Sequence, residues 1–275
     1  MSREHYLFRG CLIPTRLPFL EKASIAVLDK LGIDHEPLPG ATCCMEPIGL
    51  RSMAMDTWLA VTGRMLALAE RDGRDILTLC NGCFVSLKEA AHILSDSEAR
   101  ERVNLILSDI GLEYGGGCQV RHLLEVIRDQ GRSKVVDLTE RTLNAKMAVH
   151  PGCHLVRPSQ ILGVERPFRP QLLAEVATWV GADVIQTQDW PRCCGGGLSG
   201  VEEELSKEIL ADTVQEFRGG GAELILIPCP FCFVQFDLKQ REGLPVLYLA
   251  ELLAWSFGAS SEELGFKNHR TRLPF

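Results

Sequence analysis

Ten of the eleven cysteines in this 275-residue chain fall into two copies of one pattern. The first copy runs Cys11, 31 residues, Cys43-Cys44, 35 residues, Cys80-Asn-Gly-Cys83. The second runs Cys153, 39 residues, Cys193-Cys194, 34 residues, Cys229-Pro-Phe-Cys232. Thiolates are nucleophiles, redox centres and soft metal ligands, so the spacing has to decide among these roles. A lone CxxC between a strand and a helix suits a thioredoxin-like dithiol. That reading leaves Cys11, Cys43, Cys44 and their counterparts without a role. Structural zinc takes four ligands, and a simple cubane iron–sulfur cluster takes four thiolates, whereas each copy offers five. A fifth points to a spare reactive thiol or to an iron–sulfur cluster of unusual shape. Vicinal cysteines suit a multi-iron site, because adjacent side chains reach different irons where one small ion would crowd them. Iron–sulfur is favoured over zinc on these grounds. Cys118 stands outside the pattern and reads as a small buried hydrophobe.

Composition agrees with a reducing environment. The start, Met1-Ser2-Arg3-Glu4-His5, has no secretory apolar core, and the longest apolar tract, Leu244 to Phe257, is interrupted by Glu251 and too short to span a bilayer. The expectation is a cytoplasmic protein with no direct membrane insertion. Net charge is −7 with basic residues scattered, so no basic face for nucleic acid is expected.

The elements that must gather these thiols repeat along with them. Strand-like runs Asp75-Ile-Leu-Thr-Leu79 and Glu223-Leu-Ile-Leu-Ile227 precede the CxxC pairs. Helix-like segments follow them, beginning Phe84-Val-Ser-Leu and Phe233-Val-Gln-Phe. Val120-Arg-His-Leu-Leu-Glu matches Val246-Leu-Tyr-Leu-Ala-Glu, with extra sequence over 95–117 in the first half. The second half opens on Met147-Ala-Val-His150 as the first opens on His5-Tyr-Leu-Phe8. Helical spacing places Leu20, Ser24, Val27, Leu28 and Leu31 on one face, and Leu59, Met65, Leu66 and Ala69 on another. Alternating strand and helix predict an α/β fold of two tandem, pseudo-symmetric Rossmann-like domains, 1–144 and 145–275, with mostly parallel sheets and crossover helices. Cysteines that follow strands would then meet at the carboxyl edge of each sheet, where such sheets bind ligands.

The whole pattern resembles the cysteine-rich CCG domain pair found in the B subunit of heterodisulfide reductase. Its most specific pieces are Phe8-Arg-Gly-Cys11, Cys80-Asn-Gly-Cys83, Val149-His-Pro-Gly-Cys-His154, Cys193-Cys-Gly-Gly196 and Pro228-Cys-Pro-Phe-Cys232. The resemblance implies one non-cubane [4Fe-4S] cluster per half. Its ligands would be Cys11, Cys43, Cys44, Cys80 and Cys83 in one half, and Cys153, Cys193, Cys194, Cys229 and Cys232 in the other. It also implies that a disulfide lies between the clusters and is cleaved there, each sulfur being taken up by one cluster's iron. Electrons would come from a small ferredoxin-like iron–sulfur protein of the complex (its C subunit), itself fed by a flavin-containing one (its A subunit). No nucleotide cofactor is expected in this chain. An excess of arginine over lysine leans toward a GC-rich genome, and so toward the bacterial sulfur-oxidation type, whose substrate would be carrier-bound sulfur and not the mixed disulfide of coenzymes M and B.

Other residues carry weaker signals. His150 and His154 flank Cys153 and are candidates to donate protons to a departing thiolate; a hydrogen bond to cluster sulfur serves equally. Gly195, Gly196 and Gly197 allow either close backbone approach or a tight turn. Tyr6, His35, Glu46 and Arg192 are candidates to polarise the site. Met45-Glu46-Pro47 departs from the glycine-rich continuation in the second half, so the two environments should differ. Two alternatives stand beside disulfide chemistry. One is an electron-transfer subunit of a lactate, glycolate or succinate oxidoreductase; the other is a non-catalytic zinc-binding module.

Overall fold

The computed structural model describes residues 5–45, 47–185, 192–240 and 243–274. Strands β1 (His5–Phe8), β2 (His35–Pro37), β3 (Asp75–Thr78) and β4 (Val120–His122) form one sheet in the order β2-β1-β3-β4. Strands β5 (Lys146–Val149), β6 (Asp183–Val184), β7 (Leu224–Ile227) and β8 (Val246–Tyr248) repeat it as β6-β5-β7-β8. Every pairing is parallel, with His5 opposite Asp75 and Met147 opposite Leu224. The fold is thus α/β with two similar domains, as the repeat implied.

Parallel strands covered by helices on both faces read as continuous apolar runs. Leu224-Ile-Leu-Ile227 is such a run, and all four side chains are fully buried. The helix Pro18–Leu31 starts on a proline that needs no amide partner and ends where Gly32 turns left-handed at φ 63°. Its predicted face, Leu20, Ser24, Val27, Leu28 and Leu31, is fully buried. Met55–Arg71 likewise buries Leu59, Met65, Leu66 and Ala69. The extra sequence of the first half forms the helix Ser97–Ser108, capped by Asp96 through the Ala99 amide at 2.9 Å. One expectation is corrected. The helix expected from Phe233 is only the short turn Pro230–Phe233, which widens into a π-helical turn over Val234–Leu238. The Asp237 carboxylate there accepts from the amides of Arg270 and Thr271, drawing that turn toward the C-terminal segment.

The two halves interlock about a pseudo-twofold. Helix Pro18–Leu31 packs on Leu249–Ser256, and reciprocally Leu172–Trp179 packs on Leu123–Gln130. The segment carrying Cys153 lies on helix Asn81–Ile93, and helix Leu12–Arg16 lies on the Pro230–Phe233 turn. Each half therefore lays the segment of its first cysteine against the CxxC helix of the other. No helix among the described residues is long and apolar enough to cross a membrane.

Tyr248 crosses this interface and donates its hydroxyl proton to the Leu79 carbonyl at 2.6 Å, both groups being buried. Tyr248→Phe would leave that carbonyl without its donor, which costs about 1–3 kcal/mol. Urea unfolding should show a loss in that range, with an unchanged m-value.

Candidate metal centre

In each half the first cysteine and the CxxC follow adjacent central strands. Cys11 comes after β1 and Cys80 after β3; Cys153 comes after β5 and Cys229 after β7. The strand order reverses between these neighbours, which opens a crevice at the carboxyl edge. Cys80 and Cys229 are the extended residues that open their helices, at φ −135° and −129°. Cys83 and Cys232 follow in the first turn and face the same crevice.

Glycine makes the close approach possible. Gly10 has φ +67°, and a Cβ there would stand 2.7 Å from Cys83 Sγ. Its counterpart Gly152, at φ +78°, would place a Cβ 2.6 Å from Asn81 Nδ2 and 3.6 Å from Cys232 Sγ. The residue after each vicinal pair is also left-handed: Met45 at φ 56° and Gly195 at φ 78°. Ser86 Oγ fixes the first turn by donating to the Met45 carbonyl at 2.8 Å. In the second half Ser206 Oγ donates to the Gly195 carbonyl at 2.9 Å and is itself held by Gln235 Nε2 at 2.9 Å. Ser86 and Gln235 both stand three residues past the second cysteine of their CxxC, so the same position supports the vicinal pair in both copies.

The ten thiols form one line of contacts. Cys11 meets Cys43, Cys44 bridges Cys43 and Cys83, and Cys83 meets Cys80. Cys80 Sγ stands 4.0 Å from Cys229 Sγ of the other half. The line then runs through Cys232, Cys194 (3.5 Å from Cys232) and Cys193 to Cys153. Cys11, Cys43 and Cys193 are exposed and Cys153 half-buried, while the middle of the line is buried. Hydrogen bonds from Cys11 and Cys44 hold the Cys43 thiol well below its ordinary range, and those from Cys153 and Cys194 do the same for Cys193. Neighbouring thiols and then burial push Cys83 and Cys232 upward. So many sulfurs in contact cannot all ionise unless cations share them. Backbone amides also aim at sulfur, Gly195 N at Cys193 Sγ (3.3 Å) and Gly196 N at Cys194 Sγ (3.4 Å). Five crowded soft donors per half, with no Cβ in the way, fit a polynuclear iron–sulfur group.

His150 is buried with its Nε2 lacking a protein partner among the described residues. Ligating atoms of His150, Cys194 and Cys232 lie within 4.8 Å of one another. Burial pushes its pKa down to about 4, so the ring is neutral at pH 7. His154 is half-buried one residue past Cys153. The first half has Phe8 where the second has His150, so only the C-terminal site has this imidazole at its side.

Several sequence candidates belong elsewhere. The Tyr6 hydroxyl donates to Asp72 at 2.8 Å under the Arg74 guanidinium. His35 opens β2 with Nδ1 3.0 Å from the Ile33 carbonyl. Both are committed toward the amino edge, because their strands run away from it before reaching the thiols. Arg192 pairs with Glu216 at 3.3 Å, and Glu46 lies outside the described residues. Cys118 is buried ahead of β4, at the amino edge, its Sγ donating to the Gln119 carbonyl at 3.5 Å. Two residues were missed. His122 and Tyr248 end β4 and β8 as buried counterparts, and Tyr248 reaches the opposite half; their signal was the matched Val-x-His and Val-x-Tyr runs.

Gly10→Ala should force Cys83 aside at a strained φ. Metal taken up by the N-terminal half should fall while the C-terminal half keeps its own, as read by metal analysis of the folded chain.

A cysteine-rich domain model, CCG, matches this chain twice, over residues 6–88 and 147–237. The B subunit of the ferredoxin:CoB-CoM heterodisulfide reductase of Methanosarcina mazei is 35% identical over 277 residues, covering 96% of this chain and 92% of its own length. The 8-methylmenaquinol:fumarate reductase membrane anchor subunit of Wolinella succinogenes is 28% identical, covering 98% and 97%. A hypothetical protein from Helicobacter pylori, known from its crystal structure, shares the fold at a TM-score of 0.74 and 16% identity, over all of this chain and 53% of that one. Two CCG domains over more than half of the chain, with a heterodisulfide reductase relative at this identity along nearly all of it, make the chain a member of the family of heterodisulfide reductase B subunits.

Proposed function

We propose that this chain is the part of an oxidoreductase complex at which a disulfide, or a carrier-bound sulfur, is reduced or formed between two non-cubane [4Fe-4S] clusters. The observation that carries the reading is the unbroken line of ten thiols, in which the two halves meet at Cys80 and Cys229, 4.0 Å apart. Residues 1–144 would hold one cluster on Cys11, Cys43, Cys44, Cys80 and Cys83. Residues 145–275 would hold the other on Cys153, Cys193, Cys194, Cys229 and Cys232. When bound, the clusters supply electrons one at a time at a site that offers iron to sulfur. The chain's own residues do the rest. Burial of the central thiols excludes water, the Gly195 and Gly196 amides hold sulfur charge, and His150 and His154 are the imidazoles proposed to handle protons. The balance is a disulfide taking two electrons and two protons and leaving as two thiols.

Electrons require a route, and the chain carries no ferredoxin-type cysteine run or dinucleotide fingerprint. The proposed sources are two partner proteins in the cytoplasm, one small, ferredoxin-like and iron–sulfur-bearing, the other flavin-containing. The exposed apolar side chains Ile48, Met53 and Val201 follow the two vicinal pairs and suit a protein partner near the site. A second reading, an electron relay serving another catalytic subunit, is favoured by the fumarate reductase relative.

Anaerobically prepared protein should carry about eight irons per chain; stoichiometric zinc with little iron would sink the cluster reading. NADH should drive no turnover by the isolated chain. If both clusters engage one disulfide, Cys11→Ala and Cys193→Ala should each nearly abolish its cleavage, and the double variant should be little worse. Rapid quench of pre-reduced variants checks this. Normal single-turnover cleavage by either variant, with its other cluster intact, would exclude joint action of the two clusters on one disulfide.

A further inference from the structure

His122 is fully buried and ends β4 opposite Thr78. It opens the helix Leu123–Gln130 with a capping box. Its Nδ1 accepts from the Leu124 amide at 3.1 Å, and its own amide donates to Glu125 Oε2 at 2.9 Å. An Nδ1 that accepts carries no proton, so the proton of the neutral ring sits on Nε2. That Nε2 is buried and meets no protein acceptor among the described residues. A ligand able to accept from this otherwise unsatisfied N–H would be favoured, because a buried donor left alone is destabilising. Phe84 holds the ring edge-on, with centroids 5.6 Å apart.

Tyr248 holds the matching place across the pseudo-twofold, at the end of β8, with Glu251 closing the same capping box. Its hydroxyl crosses to the Leu79 carbonyl, one residue before Cys80 of the other half. The same rotation aims His122 at the strand end before Cys229. Burial pushes the His122 pKa down to about 4, and the Cys229 thiolate pulls it the other way.

We propose that His122 Nε2–H donates a hydrogen bond to the metal group that Cys229 holds, so that a residue of the N-terminal half tunes the C-terminal centre. This rests on the reading that Cys229 is a cluster ligand. Tyr248 spends its proton on a backbone carbonyl, so the N-terminal centre receives no matching bond from it. Donors to cluster sulfur stabilise the reduced, more negative state and raise the potential. His122 is therefore a positioning residue that, with His150, sets the C-terminal centre above its partner.

The test uses the whole chain loaded anaerobically, as wild type, His122→Phe and His122→Gln, in redox titrations followed by electron paramagnetic resonance. Gly10→Ala, which should keep the C-terminal centre, assigns the signals. At unchanged iron content, His122→Phe should move the C-terminal midpoint to lower potential and leave the other in place, and His122→Gln should restore part of the shift. Full iron with neither midpoint moved overturns the proposal. Should His122→Phe not fold, heteronuclear NMR of the wild-type imidazole in the zinc-loaded chain decides. An exchange-protected proton on Nε2 supports the bond, and a proton on Nδ1 overturns it. Uptake of zinc without iron would refute the cluster reading instead, and the same NMR measurement would still decide the hydrogen bond.

Discussion

Crowding of sulfur is the constraint on which the rest of the structure depends. Cys80 and Cys229 come within 4.0 Å only because two sheets present their carboxyl edges to each other across a pseudo-twofold. Soft donors at that density are unstable as thiolates without shared cations, and they leave little room for backbone. Gly10 and Gly152 answer the second problem by turning left-handed where a Cβ would strike Cys83 or Asn81. Asn81 in turn donates to the Pro151 carbonyl at 2.8 Å, so the loop of one half is tied to the CxxC of the other.

The symmetry is broken where chemistry would make use of it. Met45 occupies a left-handed position that Gly195 takes freely, at a cost of about 1–2 kcal/mol for a side chain. Ser86 holds the Met45 carbonyl and over-determines that turn. Phe8 and His150 are counterparts across the axis, and so are Tyr248 and His122. In the first exchange the imidazole falls on the C-terminal site, beside Cys194 and Cys232. The two sets of five cysteines are thus given unequal surroundings, and unequal surroundings separate the potentials of otherwise like metal groups.

Shared fold and shared ligands do not by themselves select a reaction. One relative in this family serves a heterodisulfide reductase and another a fumarate reductase. What distinguishes the possibilities is access. Cys11, Cys43 and Cys193 open to solvent while the CxxC sulfurs stay buried.

The amino-acid sequence alone determined the repeat, the α/β class and the ten cysteines, because ligand spacing and strand–helix alternation are local patterns that survive without a partner. It also marked Leu20, Val27, Leu28 and Leu31 as a buried face, since helical period is local too. It misplaced Tyr6 and His35, whose neighbourhood depends on which end of a strand meets the crevice. It left His122 and Tyr248 as a matched pair of strand ends with no role. Only tertiary structure decided those, because Tyr248 reaches across the pseudo-twofold to Leu79, 169 positions away, and His122 is buried with its Nε2 left over. Contacts of that range are made by the packing of two halves, and no local period encodes them.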